Sequence, residues 1–354
     1  MKCVAWVAAS LAVGGIAAGV FVLSRNGGPS AKERLLLDLA DGVILPNYRT
    51  FADRAGALRL TAALFARAPS PEALRAVQDA WKAARRAWGV CEAHLIGPEE
   101  DRLLHAKIDT SPASVEEVLA GSDRLDAAFV EGLGGHRKGF LAIEALLFGD
   151  AKILDGQEGE RRRQFLAALC MNLEAVACEI RDLWEPSAGN FAARFTKPGR
   201  GGSPYPSADA ALDDLINRVV QFAEQTKDAR LGRPLGVLRT GTGVPQPDQV
   251  EARRSGHSLE DLRADLEGIE KVHEKLSGEV AKGSAELDES LRFAIRKSKE
   301  DVAAIPAPLE EAVVQHPDHV LNAYNMIKVL RDRLAVHLVA VYKSSLRFSD
   351  FDGD

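Results

Sequence analysis

The sequence predicts an all-α protein built from two helical bundles. Of its 354 residues, 46% are hydrophobic but only 6% are aromatic, so alanine and leucine carry the apolar surface, a bias that favours helices over sheets. Apolar residues recur at three- and four-residue spacing along most of the chain. No segment alternates apolar and polar residues as a half-buried strand does.

Charge and length narrow the class of protein further. The formal net charge is −6 and no basic run stands out, which argues against a sequence-independent nucleic-acid binder. A charged fraction of 27% is typical of a soluble globular protein. The length allows one large or two medium domains.

The first 28 residues form a separate segment, either a signal peptide or a membrane anchor. Residues 4–23 carry no charge and follow Lys2. That length is enough to cross a bilayer core of roughly 30 Å as a helix. Cys3 precedes the apolar run and is not placed to be a lipoprotein cysteine. We expect the rest of the chain to be exported, with membrane contact through residues 4–23 if they are not cleaved.

The first half of the remaining chain is predicted to contain long helices. Residues 31–67 have helical spacing, bent or interrupted at Pro46. The next helix opens with Ser70 as its N-cap and Pro71 at its first position. It runs to the stop at Gly97 and the proline that follows.

Several side chains are predicted core residues. Trp81 and Trp88 are seven residues apart on one helix and therefore share a face. Cys170 and Cys178 are eight residues apart, roughly 12 Å along a helix, too far for a disulfide. We interpret these two and Cys91 as small buried apolar side chains.

A stretch rich in Gly, Pro and Ser near residue 200 predicts a domain boundary. It separates a first bundle, residues 32–200, from a second, residues 205–354. The second contains an irregular loop of about 25 residues ending near residue 258, unusual in a compact domain and often functional. We expect this loop to pack across the joint. Three further helices are predicted to begin near Ser258, Gly283 and Pro317.

One carboxylate lies inside a markedly apolar stretch, "GFLAIEALLFGD". If this stretch is helical, the neighbours of Glu144 at three and four residues' spacing are all apolar. A buried carboxylate without a partner is costly, so a metal, an arginine or a water must meet it. These neighbours are Phe140, Leu141, Leu147 and Phe148.

Three other patterns are weaker signs of a metal site. Glu270 and His273 have the Glu-x-x-His spacing of di-iron bundles, but that architecture needs a second copy, and we predict a solvated helix face. His316 and His319 are interpreted as an exposed helix start. The acidic tail, residues 348–354, ends before the distal glutamate that a calcium loop requires.

Five stretches in order resemble the imelysin family, exported all-helical bacterial proteins first named as insulin-cleaving metallopeptidases and linked to iron uptake. The resemblance covers about residues 32–354, nearly the whole mature chain. The stretches are "VILPNYRTFA", "AWKAARRAWGVCEAHLIGPEEDRLLHAKID", "GFLAIEALLFGD", "SGHSLEDLRADLEG" and "FSDFDGD".

The resemblance implies two bundles like four-helix bundles with a site in the groove between them. It places the chain in the periplasm or cell envelope, beside iron-uptake proteins. The implied ligand is an iron or zinc ion or a small molecule, although the site could hold no ion at all. Glu92 and Asp109 match signposts of the family's Trp-rich helix.

One departure from the family signature limits which functional properties the resemblance implies for this chain. The family signature is Gly-x-His-x-x-Glu, in which histidine and glutamate share a helix face. Here Leu141 occupies the histidine position three residues before Glu144. An aliphatic side chain has no lone pair to ligate a metal. His136 is eight residues from Glu144, roughly 12 Å along a helix, and cannot simply replace it.

The groove candidates are therefore Glu144, Glu92, His94, Arg263 and Asp109. A charged hydrogen bond from Arg263 would satisfy Glu144 without a metal. A metal site built from Glu144, Glu92 and His94 is the alternative, since imidazole and carboxylate suit many metals. Glu144 could also be met by water or be protonated.

Three functions remain open from the sequence. The favoured one is a non-enzymatic envelope protein that binds a ligand or metal and serves iron uptake. A zinc-type metallopeptidase is disfavoured because it needs about three protein ligands, an open position and a general base. The third is a purely structural or partner-binding protein. No catalytic residue is assigned.

Overall fold

The computed structural model describes residues 28–110, 114–149 and 151–335. Every regular element in these ranges is helical, which confirms the predicted all-α class. The α-helices are α1 (Ala31–Leu39), α2 (Leu45–Arg67), α3 (Pro71–Glu92), α4 (Pro98–Asp101), α5 (Leu104–Ile108), α6 (Glu116–Ala120), α7 (Ala127–Glu131), α8 (Gly139–Leu147), α9 (Gly156–Trp184), α10 (Phe191–Thr196), α11 (Ala208–Gln225), α12 (Arg233–Leu235), α13 (Ser258–Gly283), α14 (Ala285–Ala303), α15 (Leu309–Gln315) and α16 (Pro317–Arg333).

The interruption predicted in the first helical run is a π-helical turn at Ala40–Ile44, which joins α1 to α2. Pro46 follows it, inside the first turn of α2. Proline has no N–H to donate to the preceding turn, and a widened turn just before it accommodates the missing hydrogen bond. The chain continues in one direction instead of breaking.

The capping signals of the second long helix are confirmed. Pro71 is the first residue of α3, and the Ser70 hydroxyl accepts a hydrogen bond from the Ala73 amide. Trp81 and Trp88 are fully buried. The helix α2 packs against both α3 and α9, so the aromatic faces of these helices form the centre of the first half.

A glycine fixes where α8 begins. Gly139 has φ +74°, a left-handed conformation that side chains other than glycine rarely adopt. A Cβ there would lie 2.2 Å from the carbonyl oxygen of Ile108, at the end of α5. The start of α8 therefore lies directly against the end of α5. Glu144, further along the same helix, is buried.

The second half is tied to the first through α13. This helix begins at Ser258, as predicted, and packs against α3 on one side and α14 on the other. The predicted start near Gly283 is at Ala285, and Pro317 begins α16. The sequence did not predict the short helix α15. The limits of the two bundles stay predictions.

Two predicted features lie outside the described residues: the apolar segment 4–23 and the acidic tail 348–354. Among the helices that the structure does describe, none is long and apolar enough to cross a membrane. Cys91 and Cys170 are buried as predicted, Cys178 is half-buried, and all three are free thiols.

Candidate functional site

Glu144 is buried in the structure, with 1% of its surface exposed, and its partner is a loop serine. Its Oε1 accepts hydrogen bonds from the backbone amide and from the hydroxyl of Ser255, both at 2.8 Å. Burial raises the pKa of Glu144, and the two bonds from Ser255 oppose that rise. The carboxylate thus holds the loop before α13 against α8.

The arginine predicted to meet Glu144 points elsewhere. Arg263 forms an ion pair with Glu260, one turn away on α13, and its side chain is 41% exposed. Glu144 needs no such partner, because one serine supplies two donors at hydrogen-bonding distance. Positive charge acts on Glu144 from Arg85 and Arg254, which lower its pKa less than Ser255 does.

A second buried group, Arg85 of α3, joins three parts of the fold. Its Nη1 lies 2.6 Å from Oδ2 of Asp109, which follows α5. Its Nη2 lies 3.1 Å from Oδ2 of Asp261 on α13, and its Nε also donates to that carboxylate. The side chain is 1% exposed. The predicted candidate Asp109 is therefore part of an ion-pair network and not a free ligand.

Arg230 extends this network from the π-helical turn Thr226–Gly232 that follows α11. Its Nε lies 2.7 Å from Oδ2 of Asp265, and its Nη1 lies 2.8 Å from Oε2 of Glu251. Its Nη2 lies 3.3 Å from Oε2 of Glu92. Glu251, in the loop before α13, also lies 3.8 Å from Arg85. One loop carboxylate therefore faces both guanidinium groups.

Acids outnumber bases in this network. Burial raises the pKa of Asp265 to about 6, and it raises the pKa of Glu92 and Glu251 as well. For Asp261, burial acts in the same direction, but Arg85 and Arg230 hold its pKa below the ordinary value. Burial therefore favours the protonated form of three of these acids, against the attraction of the arginines. The network comprises two arginines, Arg85 and Arg230, and five carboxylates, Glu92, Asp109, Glu251, Asp261 and Asp265.

His257 lies at the edge of the network, at the N-cap of α13. It is buried, and its ring packs edge-on against Trp81 with centroids 5.6 Å apart. Its Nε2 is 4.0 Å from Oδ1 of Asp261 and has no hydrogen-bond partner among the described residues. Burial lowers the pKa of His257, so the ring is mostly neutral near pH 7.

The three predicted metal donors occupy three separate environments. Glu144 accepts from Ser255, and Glu92 faces Arg230. The His94 ring is fully buried with its Nε2 3.0 Å from the Asn47 amide nitrogen, and burial lowers its pKa to about 3. The structure does not bring the three side chains together.

The residues around Glu144 do not fit a metal ion held by several protein ligands. Leu141 is 5% exposed and packs in the apolar core. His136, in the short 3₁₀ turn Gly135–Arg137, is exposed and does not take its place. Within the described residues, no three His, Cys, Asp or Glu side chains are arranged to hold an ion.

A further buried carboxylate, Glu99, was missed by sequence reasoning. Glu99 is 1% exposed; its Oε1 accepts from the Tyr48 hydroxyl at 2.7 Å and from the Ile96 amide at 3.2 Å. Its Oε2 accepts from Trp184 Nε1 at 3.0 Å. Burial raises its pKa to about 7, against these hydrogen bonds.

Sequence reasoning also missed Arg85, although a signal for it exists. Arg85 stands four residues after Trp81 and three before Trp88, so it lies on the same helix face as two predicted core residues. A charged residue on such a face must be paired inside the protein. Ser255 and Arg230 gave no comparable signal, because neither lies within an apolar pattern.

Comparison with known proteins identifies the family. The imelysin family model, Peptidase_M75, matches residues 44–337. The chain belongs to the imelysin family. A curated relative, iron-regulated protein A of Synechococcus elongatus, is 27% identical over 310 residues, which cover 83% of this chain and 82% of the relative.

Two solved structures share the fold of this chain. An imelysin-like protein from Psychrobacter arcticum superposes with a TM-score of 0.74 at 17% identity, covering 90% of this chain and 97% of the other. A putative iron-regulated protein A precursor from Parabacteroides distasonis gives a TM-score of 0.74 at 18% identity, covering 91% and 97%. These two likenesses show the fold alone.

Proposed function

We propose that this protein is an exported envelope protein that binds a ligand without hydrolysing it, and that it serves iron uptake. The observation that carries the proposal is the state of the signature. Leu141 offers no donor where histidine is expected, and Glu144 is engaged by Ser255. A metal peptidase needs about three ligands and an open position, which these residues do not provide.

The link to iron rests on relatives. The curated relative and one solved neighbour are both named as iron-regulated protein A. Export is supported by the uncharged segment 4–23 and by the word "precursor" in the name of the Parabacteroides distasonis protein. The periplasm or cell envelope is then the expected location, where iron-uptake proteins are the expected partners.

The ligand site we propose lies where the loop before α13 meets α3 and α8. Here Glu144 fixes Ser255, and Glu251 of the same loop pairs with Arg230. Because a loop holds one side of the site, its residues can move more easily than those on packed helices. A ligand that replaces one of these contacts would be bound by the arginines or by the acids left free.

Peptide cleavage is the first test. The purified chain is incubated with an unfolded peptide, with and without zinc, beside a known zinc peptidase as a positive control. We expect no cleavage that a chelator abolishes. Reproducible chelator-sensitive cleavage that is lost in Glu144→Ala would overturn the non-catalytic part of the proposal.

Melting temperature tests the binding part. A ligand that binds the native state raises stability by RT ln(1 + [L]/Kd), about 2.7 kcal/mol at one hundred times Kd. We expect the melting temperature to rise with a ferric chelate more than with free ferrous or ferric ions, because the described residues do not form a site for a bare ion. A flat response to all three would favour a purely structural protein.

Iron content of cells tests the physiological part. A strain that lacks the chain should accumulate less iron than its parent when iron is limiting, and a plasmid copy should restore uptake. Equal iron content in both strains would contradict a role in iron uptake.

A further inference from the structure

A cavity of about 320 Å³ lies on one flank of the contact between α3 and α13, with α2 closing it. Its lining residues follow helical spacing on each wall. Arg54 comes from α2, Arg86 from α3, and Glu267 and Lys271 from α13. We refer to this cavity as the basic pocket. Its volume lies at the lower end of the range for small-molecule sites.

The charge of the basic pocket has the opposite sign to that of the whole chain. Arg54, Arg86 and Lys271 face a single carboxylate, Glu267, which leaves a surplus of two positive charges. Three other cavities of the described structure have no such surplus: two carry equal numbers of acids and bases, and the third carries one more acid than bases. A local surplus of cations is unexpected in a chain of net charge −6, and it would attract an anion.

Two of the three cations, Arg86 and Lys271, are held in place by ion pairs. Glu267 pairs with Arg86 on one side and with Lys271, at 3.0 Å, on the other. Burial raises the pKa of Glu267, but Lys271 and Arg86 keep it below its ordinary value, so the acid stays ionised. The Lys271 amine also donates to Oδ1 of Asn47, which lines the cavity, at 3.4 Å. One acid therefore orders two basic groups without neutralising both.

The third cation is uncommitted. Arg54 is exposed to solvent, and within the described part of the chain it forms neither a hydrogen bond nor an ion pair. The α3 wall opposite presents Ala83 and Ala87, one turn apart, whose short side chains leave room between the long basic ones. A guanidinium group without a partner beside an open space is suited to hold an incoming anion with two hydrogen bonds.

We propose that the basic pocket binds a small oxyanion carrying at least two negative charges, either phosphate or a multiply charged carboxylate. Arg54 supplies the fork of donors, and Arg86 and Lys271 supply the remaining charge. This inference goes beyond the proposed function and does not rest on it, since the basic pocket shares no residue with the network around Arg85. It does share two helices: Arg85 pairs with Asp261, and the next residue, Arg86, pairs with Glu267.

Calorimetric titration of the full chain tests the proposal, with inorganic phosphate and tricarballylate as probes at constant ionic strength. We expect saturable binding of one equivalent of at least one probe. Arg54→Ala should weaken binding roughly tenfold, the effect of losing a charged hydrogen bond. Arg67→Ala is the matched control, since Arg67 is likewise exposed on the same helix but does not line the cavity, and its loss should change binding less than twofold.

A second pair of variants leaves the three cations intact. Ala83 is exposed at the wall of the cavity, so Ala83→Glu should fold normally and place a second negative charge, beside Glu267, in the basic pocket. We expect Ala83→Glu to weaken binding at least tenfold and the neutral Ala83→Gln to weaken it much less. Binding of one probe alone identifies the anion class and supports the proposal. Failure of both probes to bind, or equal weakening by Arg54→Ala and Arg67→Ala, would overturn it.

Discussion

Glu99 and Glu144 are both 1% exposed, yet they are held in different ways. The donors to Glu99 include Tyr48 of α2 and Trp184 of α9, long helices in the core of the first half. Both donors to Glu144 come from Ser255, in the loop before α13. A carboxylate fixed by packed helices is a permanent part of the core, whereas one fixed by a loop can exchange its partner.

The loop region around Glu144 also differs in charge from the aromatic region around Glu99. Around Glu99 the ring of Trp184 packs against Tyr48, Phe191 and Phe195. Near Glu144 the loop brings Glu251 to Arg230 and ends beside His257. Charged pairs around a loop tolerate rearrangement better than a packed aromatic core does. This difference supports the proposal that a ligand binds in the loop region.

The largest expected effect is that of Arg85→Met. Removing the guanidinium group leaves Asp109 and Asp261 without their main partner in a buried position. Breaking a buried ion pair on one side costs about 3–5 kcal/mol of unfolding free energy. The control is Arg86→Met, one residue on, whose exposed pair should contribute below about 1 kcal/mol. Denaturant unfolding measures both, and equal losses would contradict the buried network.

The next effect is the pH dependence that Glu99 produces. Its folded pKa of about 7 lies above the ordinary 4.5, so the folded protein keeps a proton that the unfolded chain has released. Stability from this group is complete below pH 4.5 and is lost as pH rises to about 7, by about 3 kcal/mol.

Glu99→Gln removes this titration while keeping a neutral polar side chain. Unfolding free energies of the native chain and the variant, measured between pH 4.5 and 7.5, should therefore differ by an amount that changes with pH. The contribution of Asp265, which has the same sign, cancels in that difference. A difference independent of pH would mean that folding does not raise the pKa of Glu99.

A smaller effect is expected for Ser255→Ala. The variant keeps the backbone donor to Glu144 and loses the hydroxyl, so we expect a loss of about 1 kcal/mol. The loop before α13 should also be cut faster by a protease, because one of its two ties to α8 is gone. Ser203→Ala, at a loop serine outside this site, is the control and should leave that rate unchanged. Unchanged cleavage in Ser255→Ala would show that the hydroxyl bond to Glu144 does not help to hold the loop.

The smallest effect is expected for Arg263→Ala, which tests the correction to the predicted partner of Glu144. The pair that Arg263 forms with Glu260 is half-exposed, so its loss should change the unfolding free energy by about 0.5 kcal/mol or less. A loss of several kcal/mol that does not add to the loss caused by Glu144→Gln in the double variant would show that the two side chains interact.

Local signals predicted much of the fold. Ser70 and Pro71 marked the start of α3, and Ser258 and Pro317 marked the starts of α13 and α16. Each signal depends on residues within one helical turn. The burial of Glu144 was also predictable, since its neighbours on the helix are apolar. All-α class and helix order therefore followed from short-range patterns.

Contacts between residues that are far apart in the sequence could not be predicted from such patterns. Ser255 is 111 residues from Glu144 and lies in a loop without periodicity. His273, predicted to be solvated, is buried with its Nε2 3.3 Å from Asp288, because α14 covers that face of α13. Arg263 had a nearer acid in Glu260. In each case the deciding contact depends on how helices pack.

Elemental analysis tests the central claim most directly, with protein purified without added metal. The native chain and Leu141→His are analysed side by side, with Glu144→Ala as a third sample. We expect far less than one metal ion per native chain, and no change in Glu144→Ala. A stoichiometric ion in the native chain that disappears in Glu144→Ala would show that Glu144 is a metal ligand despite Leu141 and Ser255, and would contradict the account.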